Sequence, residues 1–246
     1  TLELGGKGAN IVFDDAPIDQ AIEGIVNGIY FNQGHVCCAG SRLLVQESIM
    51  EPLLEKLKRR LSTLRLGDPL DKNTDIGAIN SGAQLARIRE LTDSGDAEGA
   101  VRWSPECELP TRGFWFPPTV LTPQRSDRTV RDEIFGPLLV LERFEDEKEA
   151  VQRANHSEYG LSASVWTHDG ARSLRVARAL RNGTVWINDH NKLFAEAETG
   201  GYRRSGLGRL HAGGGRQCLV IRGLVGLAGG HRLLPGRHLP GGHEDR

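Results

Sequence analysis

The segment Asn10-Ile11-Val12-Phe13-Asp14-Asp15-Ala16-Pro17 passes from a short apolar strand to the start of a helix. Its two aspartates supply capping side chains and Pro17 suits the first turn, so we expect a helix that runs to about Asn32. Apolar residues recur at helical spacing through this stretch. The next strand is predicted at residues 42–46, and Cys37 therefore falls in the loop between helix and strand.

The same alternation continues along the chain. Further helices are predicted at residues 49–61, 83–92, 147–155 and 172–180, and further strands at 119–122, 138–144, 162–167 and 184–188. Strands that alternate with helices are typical of an α/β fold in which a parallel-dominated sheet is flanked by helices. A length of 246 residues allows one sizeable domain or two small ones.

Composition and charge narrow the class of protein. The chain is 38% hydrophobic and 26% charged with a net charge of −1, and acidic and basic residues are mixed, so we expect neither a nucleic-acid partner nor a membrane partner. The four cysteines form neither a disulfide framework nor a paired zinc-binding spacing. No secretory signal or long apolar span occurs. These features predict a cytoplasmic protein without a metal site.

Three short motifs carry candidate chemistry. They are Leu2-Glu3-Leu4-Gly5-Gly6-Lys7, Gln33-Gly34-His35-Val36-Cys37-Cys38 and Glu133-Ile134-Phe135-Gly136-Pro137. In their order and spacing they resemble the aldehyde dehydrogenase superfamily, and the likeness runs from Thr1 to about Arg209. Within that superfamily the chain is most similar to family 16, through Ser162-Ala163-Ser164-Val165-Trp166, Gly183-Thr184-Val185-Trp186-Ile187-Asn188 and Thr199-Gly200-Gly201-Tyr202-Arg203-Arg204-Ser205-Gly206.

The resemblance implies a role for each motif. Cys37 is the expected nucleophile, which converts a small-molecule aldehyde to a thiohemiacetal and then a thioester, and Glu3 is the expected base that activates the hydrolytic water. Glu133 and Phe135 are the expected contacts for the ribose of NAD or NADP, and Gly5 allows the close approach of backbone at the same cofactor site. The full-length protein is expected to form a homo-oligomer.

The resemblance also implies that this chain is the C-terminal catalytic half of such an enzyme. Members of the family carry a nucleotide-binding domain before the Glu3 motif, and no Gly-x-Gly-x-x-Gly run occurs in the sequence. We therefore expect the isolated chain to be inactive in hydride transfer. Residues 1–209 are predicted to form the thiol-bearing domain, and the Gly-, His- and Arg-rich residues 210–246 are predicted to be a disordered tail.

Other interpretations of the same residues stay open. A scaffold or interaction protein that keeps the fold without turnover is the principal alternative. A cysteine hydrolase would need His35 or His156 beside Cys37, but a residue two positions away seldom reaches the same thiol. Cys38 is expected to be a packing residue.

Two basic residues beside the motifs, Lys7 and Arg42, are expected to be solvated charges. Long cationic side chains are seldom fully buried. Neither residue is assigned a role in the chemistry at this point.

Overall fold

The computed structural model describes residues 1–124, 128–193, 199–208, 210 and 218–221. In this part of the chain the strands are β1 (Leu2–Glu3), β2 (Ala9–Val12), β3 (Arg42–Gln46), β4 (Val101–Trp103), β5 (Thr119–Thr122), β6 (Leu138–Phe144), β7 (Tyr159–Gly160), β8 (Ser162–Trp166), β9 (Thr184–Ile187), β10 (Tyr202–Arg203), β11 (Gly206–Leu207) and β12 (Cys218–Ile221). The helices are α1 (Ile18–Ile29), α2 (Met50–Leu61), α3 (Gly82–Ala97), α4 (Arg128–Arg131), α5 (Glu147–Asn155) and α6 (Gly170–Ala179), with short 3₁₀ segments at Phe31–Gly34 and Glu47–Ile49.

An eight-stranded sheet organises the fold, with strand order β12-β9-β8-β2-β3-β6-β5-β4. Neighbouring strands are parallel throughout, except that β4 runs antiparallel to β5. The predicted α/β fold with a parallel-dominated sheet is therefore confirmed. Strand β2 lies inside the sheet between β8 and β3, and the pairs β1 with β11 and β7 with β10 form two small antiparallel ribbons beside it.

Helices cover both faces of the sheet because side chains alternate along each strand. On β3, Leu43 and Val45 pack into a core shared with α1 and α2, whereas Leu44 packs on the opposite face with α5 and α6. All three side chains are fully buried. Burial of each contributes about 1.5–3 kcal/mol to folding, so the two apolar layers hold β3 rigidly at its place in the sheet.

The start of α1 differs from the prediction. Pro17 occupies the N-cap and no side chain caps the helix. Asp15 instead accepts hydrogen bonds from Thr167 Oγ1 at 2.7 Å and from the backbone N–H of Asp169 at 3.0 Å. The prediction that the two aspartates cap α1 is wrong, because Asp15 is bound to the loop between β8 and α6.

Strand β12 lies within the segment that was predicted to be disordered. Residues Cys218–Ile221 pair in parallel with β9 and form the strand at that end of the sheet. At these four residues the structure differs from the prediction. Most of the predicted tail lies outside the described residues, and the domain boundary at residue 209 stays a prediction.

Arg42, which was predicted to be a solvated charge, is buried at the start of β3. Its guanidinium donates to Glu142 Oε1 at 2.9 Å and to the carbonyl of Arg153 at 3.1 Å, and its side chain is 1% exposed. The prediction is wrong because the carboxylate of Glu142, on the adjacent strand β6, compensates the buried cation. The pair thereby ties β3 to β6 and to the end of α5.

We expect Glu142→Gln to lower the free energy of unfolding by roughly 3–5 kcal/mol, since it leaves Arg42 as an uncompensated buried charge. Urea denaturation of the parent and the variant measures this loss. The matched control is Glu47→Gln, which breaks the exposed pair of Glu47 with Arg143 and is expected to cost no more than about 1 kcal/mol. Equal losses in the two variants would contradict the buried-pair interpretation.

Candidate active site

The three motifs meet at one edge of the sheet. The Glu3 motif leads into β2, the Cys37 loop leads into β3 and the Glu133 motif leads into β6. These strands are neighbours and run parallel, so all three begin at the same edge. A direct contact confirms the convergence: Glu133 Oε1 accepts a hydrogen bond from the backbone N–H of Gly6 at 2.9 Å.

The loop before Cys37 has an unusual backbone. Asn32, Gln33 and Gly34 all have positive φ angles, of 49°, 57° and 74°. Non-glycine residues seldom adopt this region, and each such residue costs on the order of 1–3 kcal/mol. Side-chain contacts hold the strained turn, since Gln33 Oε1 accepts from the N–H of Gly77 at 3.0 Å and Asn32 Nδ2 donates to the carbonyl of His35 at 3.1 Å.

Cys37 and Cys38 are the central residues of a tight turn that is closed by a hydrogen bond from Ala39 N to Val36 O at 3.0 Å. The turn directs the two thiols differently: Cys37 is exposed and Cys38 is buried. The burial of Cys38 agrees with its predicted packing role. Its thiol donates to Asn191 Oδ1 at 3.1 Å, so the structure attaches Cys38 to the loop after β9.

Hydrogen-bond donors lower the pKa of Cys37 to about 6. The donors are the Cys38 thiol and the backbone N–H groups of Cys38 and Cys37, and they outweigh partial burial and the charge of Glu3, which both raise the pKa. The Cys38 thiol contributes most to the lowered pKa, and the two backbone N–H groups, which the turn fixes, add to its effect. Burial and the adjacent Cys37 raise the pKa of Cys38.

Glu3 lies on the ribbon formed by β1 and β11, where it pairs with Gly206. The ribbon is reinforced by a hydrogen bond from Leu4 N to Ser205 O at 2.9 Å. The carboxylate is exposed, and its negative charge opposes ionisation of Cys37. Glu3 is therefore close enough to Cys37 to influence its ionisation, and its negative charge disfavours the thiolate.

Glu133 is held against the backbone of the Glu3 motif. A Cβ atom on Gly5 would lie 1.9 Å from Glu133 Oε2, so only glycine lets the carboxylate lie there. Burial raises the pKa of Glu133, while the N–H of Gly6 and the charge of Lys7 counteract the rise. The structure thus brings Gly5 and Glu133, both predicted at a cofactor site, into contact.

Phe135 presents its ring to solvent from a left-handed backbone. Its φ is 54° and the residue is 36% exposed. Gln84 Nε2 holds this loop by donating to the carbonyls of Ile134 and Phe135 at 3.0 and 2.9 Å. The His35 ring stacks on the Phe135 ring with centroids 5.3 Å apart.

The placement of His35 bears on the cysteine hydrolase alternative. The His35 ring stacks on the Phe135 ring, and partial burial lowers the pKa of His35. His156, the other candidate base, is exposed just after α5. Neither histidine is among the groups that shift the pKa of Cys37. The described residues therefore give no support to a Cys–His pair.

Lys7, predicted to be a solvated charge, is 4% exposed, and within the described part of the chain its Nζ has no hydrogen-bond partner. Burial and the charge of Arg42 lower its pKa to about 7, while Glu133, Glu142 and Asp132 counteract this effect. The prediction is wrong because the side chain is buried, where the charges of Arg42 and Glu133 act on it. Residue type alone could not have revealed this placement.

A strained loop exposes Cys37, whose pKa is lowered, at the edge of a parallel-dominated sheet, so the chain falls in the class of α/β proteins that carry an exposed cysteine before a central strand. Residues 1–219 match the model of the aldehyde dehydrogenase family. An aldehyde dehydrogenase of Emericella nidulans is 43% identical over 210 residues, which are 85% of this chain and 42% of that protein. The chain belongs to the aldehyde dehydrogenase family.

Solved structures give the same result. Betaine aldehyde dehydrogenase from Staphylococcus aureus in complex with NAD+ is 44% identical with a TM-score of 0.81, and the match covers 85% of this chain and 42% of that one. NAD-dependent aldehyde dehydrogenase from Sinorhizobium meliloti is 42% identical with a TM-score of 0.82 and the same coverage. The chain thus spans less than half the length of the relatives it matches.

The described residues also bear on metal binding and on membrane insertion. No group of three or more His, Cys, Asp or Glu side chains in this part of the chain is arranged to hold a metal ion. None of its helices has both the length and the hydropathy needed to span a bilayer. The histidines of the predicted tail lie outside the described residues.

We expect Lys7 to make stability depend on pH. Its pKa is about 7 in the fold, against an ordinary value of 10.5, so the unfolded chain binds more protons between these values. Stability therefore falls as pH decreases from 10.5 towards 7. The free energy of unfolding of the parent, minus that of Lys7→Met, should rise by up to about 1.4 kcal/mol per pH unit between pH 7 and pH 9.

Urea denaturation at several pH values measures this difference, in which the other titrating groups cancel. Lys72→Met is the matched control, because it removes an exposed amine. A flat difference for Lys7→Met would show that the amine is not buried uncharged.

Proposed function

We propose that the protein containing this chain oxidises an aldehyde to a carboxylate with NAD or NADP, with Cys37 as nucleophile and Glu3 as base. The observation that carries the proposal is the convergence of an exposed, readily ionised cysteine with two carboxylates at one edge of a fold of the aldehyde dehydrogenase family. The relatives solved as NAD-dependent enzymes support the choice of reaction.

The chemistry begins at Cys37. Its thiolate attacks the carbonyl carbon and forms a C–S bond, which gives a thiohemiacetal. When bound, the nicotinamide supplies the acceptor for the hydride that the thiohemiacetal loses in becoming a thioester. Glu3 then takes a proton from water as the water attacks the thioester carbon. The C–S bond breaks to regenerate the Cys37 thiolate and release the carboxylic acid, which loses its second proton to solvent and becomes the carboxylate.

The residues around Glu133 fit the ribose end of such a cofactor. One oxygen of Glu133 accepts from Gly6 and the other lies over Gly5, whose missing side chain keeps the surface open. Ribose hydroxyls are the donors that this second oxygen suits, and the exposed Phe135 ring offers an apolar surface beside them. We propose these three residues, Gly5, Glu133 and Phe135, as the cofactor contacts of this chain.

We also propose finer assignments that the family resemblance supports. The chain corresponds to the C-terminal catalytic half of a family-16-like enzyme, which acts in the cytoplasm as a homo-oligomer. On its own the chain is inactive in hydride transfer, because the proposed contacts reach only a ribose and the sequence has no Gly-x-Gly-x-x-Gly motif for the pyrophosphate. Ester hydrolysis, which needs no hydride acceptor, remains within reach of Cys37 and Glu3.

We expect iodoacetamide to alkylate Cys37 much faster than Cys107 at pH 7. The pKa of Cys37 is lowered to about 6, whereas partial burial raises the pKa of Cys107, and the thiolate is the reactive form. Mass spectrometry after timed labelling identifies the modified cysteine, and the rate should level off above about pH 7. Labelling of Cys37 no faster than Cys107 would argue against a nucleophile and for the scaffold alternative.

We expect Glu3→Gln to separate the two halves of the reaction. Because the charge of Glu3 opposes ionisation of Cys37, the variant should be alkylated at least as fast as the parent. Hydrolysis of p-nitrophenyl acetate should keep its initial burst, but its steady rate should fall by about 10²-fold, which is typical for loss of a general base.

The control for that experiment is Cys37→Ala, which should abolish both the burst and the steady rate of ester hydrolysis. In a separate assay, the isolated chain should form no NADH from an aldehyde and NAD. A Glu3→Gln variant with slow alkylation would instead make Glu3 the base for the thiol. NADH formation by the isolated chain would refute its proposed inactivity in hydride transfer.

A further inference from the structure

A buried polar cluster lies beneath the turn that carries Cys37. His190 Nε2 lies 3.1 Å from the carbonyl oxygen of Cys38, and Ser162 Oγ donates to the same oxygen at 3.1 Å. Both side chains are almost completely buried, with exposed fractions of 3% and 1%. The carbonyl of the residue directly after the nucleophile therefore meets two side-chain donors that the mechanism does not use.

The hydrogen bonds determine the tautomer of His190. A carbonyl oxygen can only accept, so Nε2 carries the proton that it donates to Cys38. Nδ1 lies 2.5 Å from Ser164 Oγ, and in the neutral ring it accepts from that hydroxyl. Burial lowers the pKa of His190 to about 4, so the ring is neutral near pH 7 and this pattern of donors and acceptors is the one present.

Packing leaves the His190 ring little freedom. A Cβ atom on Gly28 would lie 2.5 Å from the ring, and one on Gly40 would lie 3.0 Å from it. Trp186 covers the ring with centroids 4.8 Å apart. Two glycines and a tryptophan from three different segments thus form a slot that fits an imidazole and points its Nε2 at the turn.

The cluster fixes the turn through a single peptide unit. The Cys38 carbonyl and the Ala39 N–H belong to the same planar peptide. The carbonyl is held by His190 and Ser162, and the N–H donates to Val36 O at 3.0 Å. With both ends of this peptide fixed, Cys38 cannot rotate without breaking three buried hydrogen bonds.

We propose that His190 and Ser162 are positioning residues for the nucleophile, which hold the Cys38 carbonyl so that the turn presents Cys37 at the surface. This inference rests on the proposed role of Cys37. Neither residue touches the reacting atoms, and both act through the backbone of Cys38. The N–H of Cys38 is one of the donors that favour the thiolate. By holding the backbone of Cys38, His190 and Ser162 therefore affect the reactivity of Cys37.

The test measures the alkylation of Cys37 against pH in Ser162→Ala, His190→Leu and His190→Gln. The first two variants remove a donor to the Cys38 carbonyl, and we expect the pH profile to be displaced upward, with about three- to tenfold slower alkylation at about pH 5, below the pKa of Cys37. Gln can place an amide N–H near the position of Nε2, so His190→Gln should recover part of the rate although it loses the ring contact with Trp186.

Ser173→Ala is the matched control. Ser173 is also buried, and its hydroxyl donates to Gly170 O within α6, away from the Cys37 turn. Urea denaturation of all variants separates stability from reactivity, because a merely structural role would lower stability without displacing the pH profile. If His190→Leu does not fold, Ser162→Ala still decides the question, since it removes only a hydroxyl.

Two negative results have different meanings. Suppose that Cys37 of the parent is rapidly labelled. The positioning role is then overturned if Ser162→Ala and His190→Leu keep the parental pH profile of alkylation, or if Ser173→Ala changes that profile equally. The proposed function stands in either case. If Cys37 of the parent is labelled no faster than Cys107, both the proposed function and this inference are overturned.

Discussion

The parallel alignment of β2, β3 and β6 is the constraint on which the site depends. Their register sets Ala9 beside Arg42 and Arg42 beside Val140, so three loops that are distant in sequence open at one edge. Both faces of a parallel sheet are covered by helices, which leaves the strand ends for chemistry. Open α/β sheets usually bind ligands at the carboxyl ends of the strands; here the motifs precede their strands, and the site therefore lies at the amino ends.

Close contact between backbones makes this edge compact and stiff. A Cβ atom on Gly34 would lie 2.1 Å from the carbonyl oxygen of Gly136, so the Cys37 loop and the Glu133 loop touch through their main chains. The same loop includes two non-glycine residues with positive φ, Asn32 and Gln33. Such strain persists only where surrounding contacts determine it. Here the contacts are made to Gly77 and Gly136, in two other segments, and they make the loop rigid. Under the proposed mechanism, this rigidity keeps Cys37 in position to attack the substrate.

Local patterns predicted much of the fold, whereas the residues of the candidate site were predicted from the family resemblance. The strands predicted at 119–122 and 138–144 and the helix at 147–155 coincide with β5, β6 and α5, because alternation and caps are short-range signals. The environment of the site depends on long-range contacts. His190 meets a residue 152 positions away, and Lys7 is buried by segments that its own motif does not contain. The three residues of β4 carry too little periodicity to be recognised.

The electrostatics of the site explain why a thiol and a carboxylate can share it. Among the described residues, hydrogen-bond donors and not a cation lower the pKa of Cys37. The thiolate therefore forms although the charge of Glu3 opposes it. Under the proposed mechanism this opposition lasts only while the sulfur is anionic. Acylation removes the negative charge from Cys37, and Glu3 no longer faces a like charge when it must take a proton from water. The two groups therefore act in sequence, and their repulsion helps to separate the steps.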